Sequence, residues 1–164
     1  MNIKPKKPLP GQESVWDYPR PPAIERFKGH LRIVFNGKII LDTNESFRIL
    51  ETSHPPSYYI PIKHFKPGTI IPASGRSYCE WKGEANYYNI QVGERVAEKC
   101  AWGYKSPNSR YSDLKDHISV YASRVDECYV NDELVQAQEG DFYGGWITSN
   151  VVGPFKGGAG TWGW

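Results

Sequence analysis

Four side chains, in two stretches of the chain, are candidates for chemistry. Cys79 and Lys82 lie in Tyr78-Cys79-Glu80-Trp81-Lys82-Gly83-Glu84-Ala85-Asn86-Tyr87-Tyr88, and Glu51 and His54 lie in Leu50-Glu51-Thr52-Ser53-His54-Pro55-Pro56-Ser57-Tyr58-Tyr59-Ile60-Pro61. A thiol close to an ammonium has its thiolate favoured, and the thiolate is the nucleophile. Lys82, at a turn, can steer an anionic ligand or, if desolvated, form a Schiff base. Glu51 and His54, on either side of a bend, can form a carboxylate–imidazole general base. Each also has a plain structural reading. Cysteine is a common buried strand residue, a turn lysine is commonly solvated, and a neighbouring Glu and His commonly share a hydrogen bond.

Aromatic residues surround all four. Successive residues of a strand point to opposite faces, so Tyr58-Tyr59 and Tyr87-Tyr88 should each send one ring to the core and one to a cleft. Tyr59 and Tyr87 are assigned to the cleft, with Trp81 and Trp102 as further walls. The expected site is therefore Glu51, His54, Tyr59, Cys79, Trp81, Lys82, Tyr87 and Trp102, on two bends that meet in space.

The elements that would position these residues read as strands. Leu31 to Phe35 and Lys38 to Thr43 flank Asn36-Gly37, and Asn-Gly between two β-rich runs is a strong hairpin signal because a type I′ turn needs positive φ at both central residues. Ser46 to Glu51 follows as a strand, with Phe47 and Ile49 alternating with polar neighbours. Tyr58-Tyr59-Ile60 is the next, then a helical turn near Ile62 to Phe65 and a loop marked by Pro72 and Gly75. Ser77 to Trp81, Asn86 to Val92 and Arg95 to Trp102 continue the sheet, the last with room for a bulge. Ser112 or Asp113 can cap one or two helical turns through His117. Ile118 to Tyr121, Val125 to Val130 and Glu133 to Val135 complete the strands. The hairpins around Gly37 and Gly93 echo one another weakly.

Length and composition agree. A chain of 164 residues favours one domain, and 14% aromatic residues with 16 Gly and 13 Pro favour many short strands and turns over a helix bundle. The expected division is an extended Pro-rich arm over 1–23, a β domain over 24–138 and a Gly- and aromatic-rich tail over 139–164. Trp16 and Tyr18 should anchor the arm; the tail should wrap the domain, with a bridge to a second copy left open. Prolines exclude helix from the arm. The net charge of +2 is dispersed apart from Lys4-Pro5-Lys6-Lys7, which gives no support to a nucleic-acid partner. No run is apolar enough for a membrane helix and no signal-peptide pattern is read. Three cysteines, an odd number with no C-x-x-C pair, point to reduced thiols in the cytoplasm and away from structural zinc.

Several motifs together resemble a known family. Glu51-x-x-His54-Pro55-Pro56-x-Tyr58-Tyr59-x-Pro61, Cys79-x-Trp81-Lys82-Gly83-x-Ala85-x-Tyr87-Tyr88, Ala101-Trp102-x-Tyr104 and Ile118-x-Val120-Tyr121 resemble the family catalogued as domain of unknown function 427, over roughly Ile24 to Val135. The resemblance implies a mainly β fold of two antiparallel sheets in a tent-like or sandwich arrangement, with one or two short helical turns. The tent is shared with zinc-ribbon-like domains and one class of methionine sulfoxide reductases, whose paired zinc cysteines this chain lacks. The family's nucleotidyltransferase-like label finds no support here, because there is no glycine-rich phosphate loop and no closely paired aspartates for magnesium. No cofactor and no metal are expected. The expected function is small-molecule binding in an aromatic-lined cleft. The alternatives are an enzyme using Cys79 or the Glu51–His54 pair, and an interaction module docking through its aromatic tails.

Overall fold

The computed structural model describes residues 3–140 and 142–164. Its strands, in chain order, are β1 (Glu13–Ser14), β2 (Ala23–Phe27), β3 (Leu31–Phe35), β4 (Lys38–Thr43), β5 (Ser46–Leu50), β6 (Ser57–Pro61), β7 (Ile70–Cys79), β8 (Gly83–Val92), β9 (Arg95–Gly103), β10 (His117–Val120), β11 (Glu127–Val130), β12 (Glu133–Leu134), β13 (Gln136–Ala137), β14 (Trp146–Ile147) and β15 (Val151–Val152). The fold is mainly β and antiparallel. One sheet has seven strands in the order β2-β5-β6-β10-β9-β8-β7, and a second has four in the order β12-β11-β3-β4.

The hairpin signals translate directly into structure. Asn36 and Gly37 adopt φ of 50° and 73°, and β3 pairs with β4 across them, with a register shift at Ile33/Val34. Gly93 turns β8 into β9. The tips of these two hairpins touch: Asn36 Nδ2 donates to Val92 O at 3.0 Å, and its backbone N–H donates to Asp126, which also holds Arg95. The two hairpins belong to different sheets, and the main core lies between them.

Alternation along the strands decides what each face meets. Leu31, Ile33, Ile40 and Leu41 of the four-stranded sheet pack against Tyr58, Ile60, Tyr88, Ile90, Ile118 and Val120 of the seven-stranded sheet. The opposite face of the large sheet carries a second apolar cluster, in which Ile49, Tyr59, Ala85, Tyr104, Tyr111 and Leu114 are buried, with Cys79, Trp81 and Trp102 beside them. The large sheet is thus covered on both faces, and Tyr58/Tyr59 and Tyr88/Tyr87 divide between them.

Several local expectations need correction. The Pro72–Gly75 stretch is not a loop, because β7 runs through it. β7 is the outer strand of its sheet, and the register shift between Pro72 and Arg76 removes the need for a ladder N–H at the proline. The helical turn placed at Ser112 to His117 lies earlier, at Ser109–Leu114, because His117 is drawn into β10 opposite Pro61. The arm contains a 3₁₀ turn, Val15–Asp17, despite its prolines; Ser14 Oγ accepts from Trp16 N at its start. A further 3₁₀ turn, Ala122–Arg124, precedes the strand expected from Val125, which begins only at Glu127.

Both terminal stretches are built into the fold. β1 pairs in parallel with β15. Arg48, 6% exposed at its side chain, holds Glu13 of the arm at 3.0 Å and Glu25 of β2 at 2.6 Å. Burial works against the Glu13 carboxylate, but its hydrogen bond and charge attraction to Arg48 win, leaving its pKa below the ordinary 4.5. Trp16 Nε1 donates to Pro154 O, and its ring packs edge-on against Trp164. Trp146 is fully buried among the core residues and donates from Nε1 to Val120 O at 2.8 Å.

Trp146→Ala removes a buried indole from between the sheets and strands the Val120 carbonyl. It should lower unfolding free energy by about 3–5 kcal/mol, measured by urea denaturation. A loss of less than about 1 kcal/mol would show that the segment packs loosely on a self-sufficient domain.

Candidate functional site

The second bend is formed by Glu80, Trp81 and Lys82, between β7 and β8. Gly83, at φ 112°, lets the chain re-enter the sheet directly after Lys82. The bend is held by the loop before the Ser109–Leu114 turn: Asn108 N–H donates to Lys82 O at 2.8 Å, and Asn108 Nδ2 donates to Trp81 O at 2.8 Å. The first bend follows β5. Ser53, at φ 72°, turns the chain back so that His54 N–H donates to Glu51 O. Ser53 is clasped from both sides, its N–H donating to Val15 O of the arm and its carbonyl accepting from Lys156 N–H.

The two bends open on one cavity of about 260 Å³. All eight anticipated residues line it: Glu51, His54, Tyr59, Cys79, Trp81, Lys82, Tyr87 and Trp102. The sheet explains part of this. Tyr87 and Trp102 are directly opposite on β8 and β9, and Tyr59 lies on β6 behind them, its hydroxyl accepting from Trp102 Nε1 at 3.1 Å. Sequence reading did not anticipate Tyr104, Tyr121, Gln138, Phe142 and Tyr143, which complete the walls. The last three come from the stretch after β12 and had no periodic signal. Close approach makes this closure feasible: a Cβ on Gly144 would lie 2.4 Å from the Trp102 ring, and one on Gly145 would lie 2.6 Å from Pro55 O.

The electrostatics of the cavity are uneven. Lys82 is only 8% exposed. Burial opposes its charge, but attraction to Tyr59, Cys79 and Glu51 more than offsets this and holds its pKa above 10.5. The amine is therefore an ammonium at neutral pH, which favours an anion and disfavours a Schiff base. Its Nζ lies 5.9 Å from the centre of the Tyr104 ring. Burial raises the pKa of Tyr59 and of Tyr104, so both phenols stay protonated.

His54 behaves differently. Burial first, then the charges of Lys156, Arg20 and Lys82, push its pKa down to about 3. Gln138 fixes the tautomer. Its Oε1 accepts from Gly145 N–H and its Nε2 donates to Lys156 O, so Nε2 also donates to His54 Nδ1 at 3.3 Å. His54 is a neutral ring with its proton on Nε2, 3.7 Å from Glu51 Oε2, beyond hydrogen-bond range. Glu51 is paired with Arg20 at 3.6 Å. An imidazole held near 3 is far from the ideal for general base work at neutral pH. Among the described residues, no three His, Cys, Asp or Glu side chains converge as a metal site would require, and no helix is long and apolar enough to cross a membrane.

The neutral His54 has a consequence for stability. The unfolded imidazole takes up a proton near 6.5, while the folded one resists until about 3. Its contribution is complete above 6.5 and falls as pH drops through that value, because the unfolded state then binds the extra proton. Urea denaturation between pH 6.5 and about 5 should show stability falling by up to about 1.4 kcal/mol per pH unit. His54→Asn should flatten that slope whatever it does to stability at pH 8. An unchanged slope in the variant would mean that His54 is not held neutral.

Comparison with known proteins adds a family and no activity. No curated protein matches the chain. A family model described as Domain of unknown function (DUF427) matches residues 23–131, from the start of β2 to the turn after β11. Well over half of the chain is covered, including both bends and the strands that carry them, and the protein belongs to the DUF427 family.

Proposed function

We propose that this protein binds a small molecule in the cavity between its two bends. The observation that carries the reading is convergence. Eight side chains anticipated from the sequence, seven of them from two stretches about 30 residues apart and the eighth Trp102, line a single cavity of about 260 Å³. A mostly apolar, aromatic hollow with a few convergent polar groups is the usual form of a small-molecule site. Three free cysteines, Cys79, Cys100 and Cys128, fit a reducing compartment such as the cytoplasm.

The indole N–H signals of a ¹⁵N-labelled sample test this. A set of small aromatic fragments should move the signals of Trp81 and Trp102, which line the cavity, and leave buried Trp146 and exposed Trp162 in place. Fragments that leave Trp81 and Trp102 unmoved, or that move only Trp162, would contradict a binding role for this cavity.

A second reading, a thiol reaction at Cys79, is favoured by one observation: the Cys79 and Lys82 side chains line the same cavity. Cys100 and Cys128 are buried, and burial raises both of their pKa values, that of Cys100 to about 11. A thiol reagent at neutral pH should therefore label the native chain once, at Cys79, and Lys82→Met should slow that labelling. Native Cys79 labelling at the same rate in both proteins would remove Lys82 from any thiol chemistry.

A further inference from the structure

The donors and charges of the cavity identify the class of molecule it takes. The following rests on the binding reading above and narrows it. Much of the wall's hydrogen-bonding capacity is committed within the protein: Trp102 Nε1 donates to Tyr59, Tyr87 Oη to Ser77 Oγ, and Tyr121 Oη to Phe142 O. Lys82 Nζ and His54 Nε2–H are among the donors not committed in this way. Lys82 Nζ has three hydrogens and, among the described residues, no carboxylate within ion-pair distance and no oxygen acceptor; the Tyr104 ring lies 5.9 Å from it. His54 presents Nε2–H, 3.7 Å from Glu51 Oε2.

The other cations around the cavity are already engaged. Arg20 holds Glu51 and donates to Thr52 O and Trp164 O. Lys156 donates to Trp164 O. On the acidic side, Glu51 is shared between Arg20 and the neighbourhood of Lys82, and Glu80 stands on the exposed bend. The buried cation is Lys82, at 8% exposure, facing a space of about 260 Å³. A water occupies about 30 Å³ of liquid volume, so the space suits a molecule of about ten non-hydrogen atoms. We infer that the cavity takes a small aromatic monocarboxylate, with its carboxylate on Lys82 Nζ and His54 Nε2–H and its ring among Trp81, Tyr87, Trp102 and Tyr143.

The geometry explains each part of that choice. The buried Lys82 ammonium, with no carboxylate paired to it among the described residues, matches one negative charge. A carboxylate offers two acceptor oxygens, one for an ammonium and one for a neutral N–H donor. Neutral His54 can donate to an anion without adding a further charge to a site that already holds three nearby cations.

The test compares benzoate with benzamide, which has the same shape and no charge, by titrating each into the ¹⁵N-labelled full chain and following the Trp81 and Trp102 indole signals. In the wild-type protein benzoate should bind at least about tenfold more tightly than benzamide, as expected for a charge-assisted contact in a shielded site. In Lys82→Met, which keeps the length of the side chain, the two should bind equally. Equal binding of both in the wild-type protein would overturn the carboxylate while leaving the cavity as a binding site. No movement of either indole by either probe would overturn both. The wild-type ratio decides the question even if the variant fails to fold.

Discussion

A lysine ammonium at 8% exposure, with no carboxylate in reach among the described residues, is the constraint around which this molecule is arranged. Removing an unpaired charge from water costs several kcal/mol unless the surroundings replace its hydration. Here the replacement is partial. Tyr59, Cys79 and Glu51 keep Lys82 charged, but none is an ion-pair partner. A fold that tolerates such a group at the end of a β bend keeps an electrostatic vacancy, and a vacancy of that kind is a property of binding sites more often than of cores.

Holding that vacancy open needs the whole chain. The large sheet supplies a wall through Tyr59, Tyr87 and Trp102. Asn108 fixes the bend that carries Lys82. The opposite bend would be free to move without the two terminal stretches, but Val15 and Lys156 grip Ser53 from either side, and Arg48 ties the arm through Glu13. The stretch after β13 also contributes Gln138, which sets the tautomer of His54, and Tyr143, whose ring meets that of His54 at 4.6 Å. Charge, tautomer and wall are therefore coupled to segments outside the central strands.

Much of this was legible in the sequence, for identifiable reasons. Asn36-Gly37 and Gly93 mark their hairpins because positive φ is a local requirement. The Tyr-Tyr pairs divided as strand alternation demands, which placed Tyr59 and Tyr87 in the cleft and Tyr58 and Tyr88 in the core. The pairing of distant bends was carried by residue types and by the family resemblance. What escaped was set by non-local contacts. Pro72 sits in a strand because β7 is an outer strand with a register shift, which no local pattern shows. Gln138 and Tyr143 reach the cavity because Gly144 and Gly145 pass within contact distance of Trp102 and Pro55, and glycine alone does not say what it approaches. The suppression of His54 basicity comes first from burial and then from Lys156 and Arg20, far from it in sequence.

The most direct measurement is the titration of Lys82 itself, followed by the side-chain Cε resonance in a ¹³C-lysine-labelled sample and assigned with Lys82→Met. A buried ammonium stabilised by the thiol and phenols around it should titrate above 10.5. Titration of Lys82 at or below neutral pH would show that burial wins, that the amine is uncharged, and that the cavity has no cation to offer an anion.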